Sequence, residues 1–198
     1  MKLNRLAGQG PRASIASGVS AILVLLMALF GSLMSGALGT LFAVVLILSL
    51  TVMLGGLAIV GLDLDWIAHP DTHNGRMLAS LWFAAAGAVL PLLLALGALL
   101  QAAASVMQLL VCLVGLAAGG FTILHNLEGR RARIVTGALP WLGIAAGGFF
   151  LLFWLGALIT LIPLIVVGLF AGLVLYAAWA IWLGVQLGRK PVLAAAVT

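Results

Sequence analysis

Six long apolar runs constrain this chain more than any other feature of its sequence. A helix that crosses the ~30 Å hydrocarbon layer of a bilayer needs about 20 apolar residues, and each run is long enough to supply them. The sequence therefore predicts an all-α polytopic membrane protein with six transmembrane helices. The predicted spans cover residues 15–35, 38–61, 77–99, 103–125, 135–157 and 161–187.

Composition supports a lipid environment. Hydrophobic residues make up 65% of the chain and charged residues 7%, whereas soluble domains have roughly 45–50% and about 25%. The pI is near 10.8, which raises the question of a nucleic-acid partner. Only nine basic residues produce this value, and they are spread along the chain rather than gathered in one domain. We therefore expect no nucleic acid among the partners.

The gaps between the predicted spans alternate between uncharged and charged segments. Every lysine and arginine falls in the two tails or in the gaps at 62–76 and 126–134. Six spans place these segments on one side, and basic residues favour the cytoplasm. We expect three helical hairpins in a bacterial-type inner (plasma) membrane, with both termini in the cytoplasm. The predicted parts are a cytoplasmic tail at 1–14, a transmembrane domain at 15–187 and a cytoplasmic tail at 188–198.

The middle of every predicted span lacks Asp, Glu, Lys and Arg. Ionisable residues inside membranes mark proton relays, ion paths and counter-ions, so the sequence disfavours an ion-coupled transporter, a proton pump and a retinal protein. His125 is the only histidine near a span, whereas a heme b site needs paired histidines within helices. The single Cys112 offers neither an internal disulfide nor a metal-binding cysteine pair. We predict no catalytic residues in the spans and no cofactor held by these motifs.

The segment DLDWIAHPDTHNGR, residues 63–76, is the most polar stretch between the two ends of the chain. Its first interpretation is a surface loop in which Asp63 and Asp65 face water and Pro70 begins a turn, with a polar residue capping the next helix. Docking of a partner protein and binding of a metal are the alternatives. Two imidazoles and two carboxylates would suit zinc or manganese. The candidate ligands are Asp65, His69, Asp71 and His73.

Three further groups of residues are candidate contacts with lipid or with a partner. Arginines in the second charged gap can attract anionic lipid or an acidic protein. Paired glycines in the last span allow another helix to approach closely. Two tryptophans three positions apart predict one shared face, which could contact a neighbouring helix, lipid, a quinone or a pigment. These residues are Arg130, Arg131, Arg133, Gly168, Gly172, Trp179 and Trp182.

Three functions remain open on the sequence alone. The first is an accessory or structural subunit of a larger membrane complex, partnered by the bilayer and by other subunits or a second copy; it suits apolar helices without catalytic groups. The alternative is a channel or transporter for a small neutral or apolar solute, because Pro91 predicts a kink in the third span and many glycines occur in the helices. The third is a membrane enzyme or metal site that uses the loop at 63–76.

Overall fold

The computed structural model describes residues 9–30, 36–68, 89, 93, 104–131 and 133–188. These residues contain five long α-helices, and each is long and apolar enough to cross a membrane. The expectation of an all-helical, membrane-spanning protein is confirmed for this part of the chain. The helices are α1 (Gly10–Phe30), α2 (Gly36–Ala68), α3 (Ala104–Arg131), α4 (Leu139–Leu158) and α5 (Ile162–Gly188).

The third predicted span, at 77–99, lies almost wholly outside the described residues. Only Val89 and Leu93 are described there, and both are helical and exposed. The predicted kink at Pro91 lies outside the described residues as well.

Three helices are longer than the spans predicted from the sequence and extend into segments that were predicted to be tail or loop. Helix α1 begins at Gly10 rather than at residue 15, α2 continues to Ala68 rather than 61, and α3 continues to Arg131 rather than 125. Apolar runs mark only the part of a helix that lies in a fully apolar setting. Polar residues such as Asp63 and Asn126 continue the helices because neighbouring helices satisfy their hydrogen bonds.

The five described helices form a ring. Helix α1 packs against α2 and α5, α5 packs against α4, and α4 packs against α3. A smaller contact between α2 and α3 closes the ring. Apolar side chains from all five helices are buried between these neighbours, so the core lies along the inner faces of the helices.

Contacts near one end of the bundle establish the helix directions. Gly10 at the start of α1 lies against Asp63 near the end of α2, and Gly184 near the end of α5 lies against Pro11. The end of α3 lies likewise beside the start of α4. Helices α2, α3 and α5 therefore run towards this end, and α1 and α4 run away from it. We call it the arginine end, because it holds the four described arginines, Arg12, Arg130, Arg131 and Arg133.

Two glycines of α5 allow it to pack closely against α4. A side chain at Gly168 would collide with the backbone of Phe153, and a side chain at Gly172 would collide with the ring of Phe150. Both glycines are buried. The small-residue face predicted for the last span is thus used within this chain, against the preceding helix.

Candidate functional site

Polar side chains are buried together in the half of the bundle nearest the arginine end. They come from α1, α2, α3 and α5, although the sequence there is mostly apolar. We call this group the polar interior and treat it as the candidate functional site, because buried polar groups in a membrane protein need specific partners. Its members are Ser14, Ser17, Ser20, Asp63, Thr122, His125, Asn126, Tyr176 and Trp179.

Ser17 joins three helices. Its Oγ on α1 donates a hydrogen bond of 2.6 Å to the carbonyl oxygen of Met53 on α2. The hydroxyl of Tyr176 on α5 lies 2.5 Å from the same Oγ. Since the Ser17 proton is directed at Met53, the Tyr176 hydroxyl is the donor in this second bond. Bonds of this kind between membrane helices contribute about 0.6 kcal/mol on average and up to ~1.7 kcal/mol.

Trp179 and Asn126 connect α5 to α3, which are not neighbours in the ring. The indole Nε1 of Trp179 donates a 2.8 Å hydrogen bond to Oδ1 of Asn126, and Nδ2 of Asn126 donates to the carbonyl oxygen of Thr122 at 2.7 Å. Asn126 can lie here because Gly143 of α4 has no side chain, and a Cβ at that position would collide with the amide. The amide therefore forms hydrogen bonds through both its oxygen and its nitrogen.

Three aromatic rings, two of them from residues that form these bonds, pack against one another. The centroids of Tyr176 and Trp179 are 5.4 Å apart and those of Phe150 and Tyr176 are 5.9 Å apart, with tilted planes. Such pairs contribute about 0.5–1.5 kcal/mol beyond the area that they bury. The Trp179 indole is thus packed by a ring and bonded through its N–H.

Asp63 lies between helices rather than in water. It is 4% exposed, and its Oδ2 accepts a 2.6 Å hydrogen bond from the backbone N–H of Gly10. The expectation that Asp63 faces water is wrong, because the first N–H groups of α1 lack partners within the helix and favour a negative charge nearby. One turn further along α1, Ser14 donates to the carbonyl oxygen of Ala180 at 2.6 Å.

His125 has a buried nitrogen without a partner among the described residues. The side chain is 7% exposed, and its Nε2 makes no hydrogen bond there. Phe121 meets the ring edge to face, with 4.0 Å between centroids. The imidazole lies against the backbone of α2 at Gly61, where a Cβ would collide with Nε2. A buried unsatisfied nitrogen costs about 1–3 kcal/mol. Among the described residues, Nε2 of His125 is the buried side-chain atom that lacks a hydrogen-bond partner.

The four candidate metal ligands of the 63–76 segment cannot be placed together. The backbone of Asp65 belongs to α2, but its side chain lies outside the described part of the structure, as do His69, Asp71 and His73. Within the residues that are described, no three His, Cys, Asp or Glu side chains could jointly hold a metal ion. The metal-binding alternative therefore remains a sequence prediction.

The two tryptophans of α5 occupy different surroundings. Trp179 is 1% exposed, whereas Trp182 is 44% exposed. Three residues advance a helix by about 300°, which leaves the two side chains ~60° apart, and the edge of the buried face falls between them. That offset is enough here to move Trp182 from the interior to the outer surface.

The arginines of the second charged gap are exposed at the arginine end. Arg130 and Arg131 belong to the last turn of α3, and Arg133 follows in the turn that leads to α4. The guanidinium carbon of Arg130 lies 4.5 Å from the centre of the Trp141 ring, a cation–π distance. These side chains thus lie at the surface, apart from the polar interior.

Several residues of the polar interior were not singled out from the sequence. Ser14 and Ser17 carried a readable signal, because serines three positions apart share a helix face within an apolar run. Asn126 and Tyr176 carried none, since their partners come from helices distant in sequence.

Comparisons of this chain with protein-family models, with curated proteins and with solved structures found no match.

Proposed function

We propose that this protein is a non-catalytic structural subunit of a larger membrane complex. The observation that supports this proposal is that the buried polar side chains form hydrogen bonds between helices of this chain. Ser14, Ser17, Asn126, Tyr176 and Trp179 all bond to other helices of the chain. Polar groups committed in this way hold helices in fixed positions, whereas a solute pathway or a catalytic centre needs polar groups directed at a substrate.

The proposal includes six spans. Helices α2 and α3 run in the same direction, so the chain between Ala68 and Ala104 has to return from one end of the bundle to the other. A helix over 77–99 would cover about 35 Å at ~1.5 Å per residue, enough for the ~30 Å hydrocarbon layer. The helical, exposed Val89 and Leu93 are consistent with a span that meets lipid.

The proposal also places the arginine end in the cytoplasm of a bacterial-type inner membrane. All four described arginines lie at that end, and basic residues are retained on the cytoplasmic side. Both termini then lie in the cytoplasm. Reporter fusions after Gly39 and after Ala103 test this orientation: both should report the external face, and a cytoplasmic signal from either would contradict it.

Isolation from the native membrane tests the proposed function. A tag on the chain, extraction in mild detergent and quantification of every polypeptide should recover a second membrane protein in a fixed whole-number ratio. The ratio should be unchanged when the tag is moved to that second protein. Recovery of the chain alone, or recovery of the second protein without the chain when the tag is moved, would contradict the proposal.

A channel or transporter for a small neutral solute is the second candidate, and His125 is the observation that favours it. Its buried Nε2 has no described partner, so a solute hydroxyl or carbonyl could bond to it. Vesicles containing the purified chain should then take up glycerol or urea faster than empty vesicles. Replacement His125→Leu should abolish the difference. Equal uptake with and without the protein would exclude these solutes.

A further inference from the structure

The turn between α3 and α4 has a fixed shape. The N–H of Arg133 donates to the carbonyl of Arg130, and the N–H groups of Ile134 and Val135 both donate to the carbonyl of Gly129. Ile134 and Val135 are buried. This is the arrangement that ends many helices with one left-handed residue, and its buried side chains hold the turn against the bundle.

Arg133 occupies the left-handed position of this turn. Its φ is +55°, a conformation that costs roughly 1–2 kcal/mol for a residue other than glycine. Glycine is the residue that usually stands there. The chain thus keeps an exposed arginine where glycine would be more stable, and strained residues of this kind gather at functional sites.

Two more arginines and a tryptophan lie beside Arg133. Arg130 and Arg131 are exposed in the last turn of α3, and the Arg130 guanidinium rests over the Trp141 ring. Trp141 is 56% exposed at the start of α4. Exposed tryptophans at the ends of membrane helices lie at the level of the lipid headgroups, so the three positive charges lie at that level too.

We propose that this turn binds the headgroup of an anionic phospholipid. We call the site the arginine turn, and it consists of Arg130, Arg131, Arg133 and Trp141. The guanidinium groups bond the lipid phosphate in the planar, two-point manner that arginine favours, while the Trp141 ring supports the Arg130 guanidinium at the level of the headgroups. The proposal is independent of the proposed function, because the site needs no protein partner.

Lipid binding to the purified full-length chain tests this proposal. Native mass spectrometry in detergent compares dioleoyl-phosphatidylglycerol, which is anionic, with dioleoyl-phosphatidylcholine, which is not. Each basic group near an anionic lipid surface changes affinity about fivefold. The double variant Arg131→Gln/Arg133→Gln should therefore bind phosphatidylglycerol about 25-fold more weakly. This variant retains the contact between Arg130 and Trp141.

Arg12 provides the matched control. It is an exposed arginine at the same end, but it lies on α1, which packs against neither α3 nor α4. Arg12→Gln removes one charge from a surface away from the turn. In detergent its loss should leave the affinity within about twofold, because exposed charges farther apart than the ~8–10 Å screening length interact weakly.

Arg133→Gly separates a loss of lipid affinity from a loss of folding. Glycine removes the charge but relieves the strained backbone, so thermal stability should rise while phosphatidylglycerol affinity falls about fivefold. Opposite signs in the two measurements are expected only if the side chain binds lipid.

Several results would overturn the proposal. The first is equal binding of the two lipids by the unaltered chain, and the second is an undiminished preference in the double variant. A third is an equal loss in Arg12→Gln, which would indicate a response to overall charge. Displacement of the lipid by an equal concentration of inorganic phosphate would indicate a free-anion site. If the double variant kept its lipid affinity but no longer bound an acidic protein that the unaltered chain binds, the turn would be a protein-docking site.

Discussion

The indole Nε1 of Trp179 and the amide Oδ1 of Asn126 form a 2.8 Å hydrogen bond across the interior of the bundle. The two residues come from α5 and α3, which do not pack against each other elsewhere in the described structure. Both side chains are 1% exposed. The bond therefore connects the two sides of the helix ring, and its loss should affect the bundle as a whole.

Trp179→Phe should destabilise the protein in detergent. Phenylalanine retains an aromatic ring beside Tyr176 but leaves the buried Asn126 oxygen without its donor, at a cost of about 1–3 kcal/mol. Trp182→Phe is the matched control, because Trp182 is 44% exposed and should change stability by less than ~0.5 kcal/mol. Thermal unfolding followed by circular dichroism measures both, and equal midpoints for the two variants would contradict the assigned role.

Ser17 and Tyr176 should be energetically coupled. Ser17→Ala and Tyr176→Phe each remove one hydroxyl from the bond that joins α1, α2 and α5. The double variant should lose less stability than the sum of the single losses, with a coupling energy of about 0.5–1.5 kcal/mol. Additive losses within experimental error would show that the two hydroxyls act separately.

Gly172→Leu should lower stability far more than Gly120→Leu. A Cβ at Gly172 would already lie 2.9 Å from the Phe150 ring, whereas one at Gly120 meets no described residue within 4 Å. Forcing a side chain into a packed contact costs about 1–3 kcal/mol or more, while a leucine at the half-buried Gly120 meets no such contact among the described residues. If Gly172→Leu unfolds at the same temperature as Gly120→Leu, the close packing of α5 on α4 is incorrect.

His125→Leu should not destabilise the bundle. The substitution removes Nε2, which has no partner among the described residues, and so relieves about 1–3 kcal/mol. It also sacrifices the Phe121 ring contact, which contributes about 0.5–1.5 kcal/mol. The unfolding free energy should thus stay level or rise. A loss above ~2 kcal/mol would indicate that Nε2 has a partner in the folded protein.

The sequence predicted the helices better than their ends. Apolar runs identify a membrane span reliably because backbone groups in lipid must bond within the helix. They do not reveal that α2 continues past Asp63, since this depends on Gly10 of α1 reaching its carboxylate. A partner 53 residues away in the chain has no local trace in the sequence.

The candidate site was the least predictable part. The polar 63–76 segment attracted notice because its residues are polar and adjacent in sequence. The polar interior instead brings together residues from four helices, such as Ser17, Asn126 and Tyr176. Asn126 and Tyr176 have no distinguishing pattern in their own segments, and only the packing of the ring makes the three residues neighbours.

The mass of the intact particle tests the central claim, that this chain is a structural subunit of a larger assembly, most directly. Native mass spectrometry of the tagged chain, extracted from its own membrane in mild detergent, should give a mass above the 20.4 kDa of one chain by that of at least one different polypeptide. Dissociation in the gas phase should release both. A particle whose mass equals one chain, or a whole-number multiple of that chain, would contradict the account.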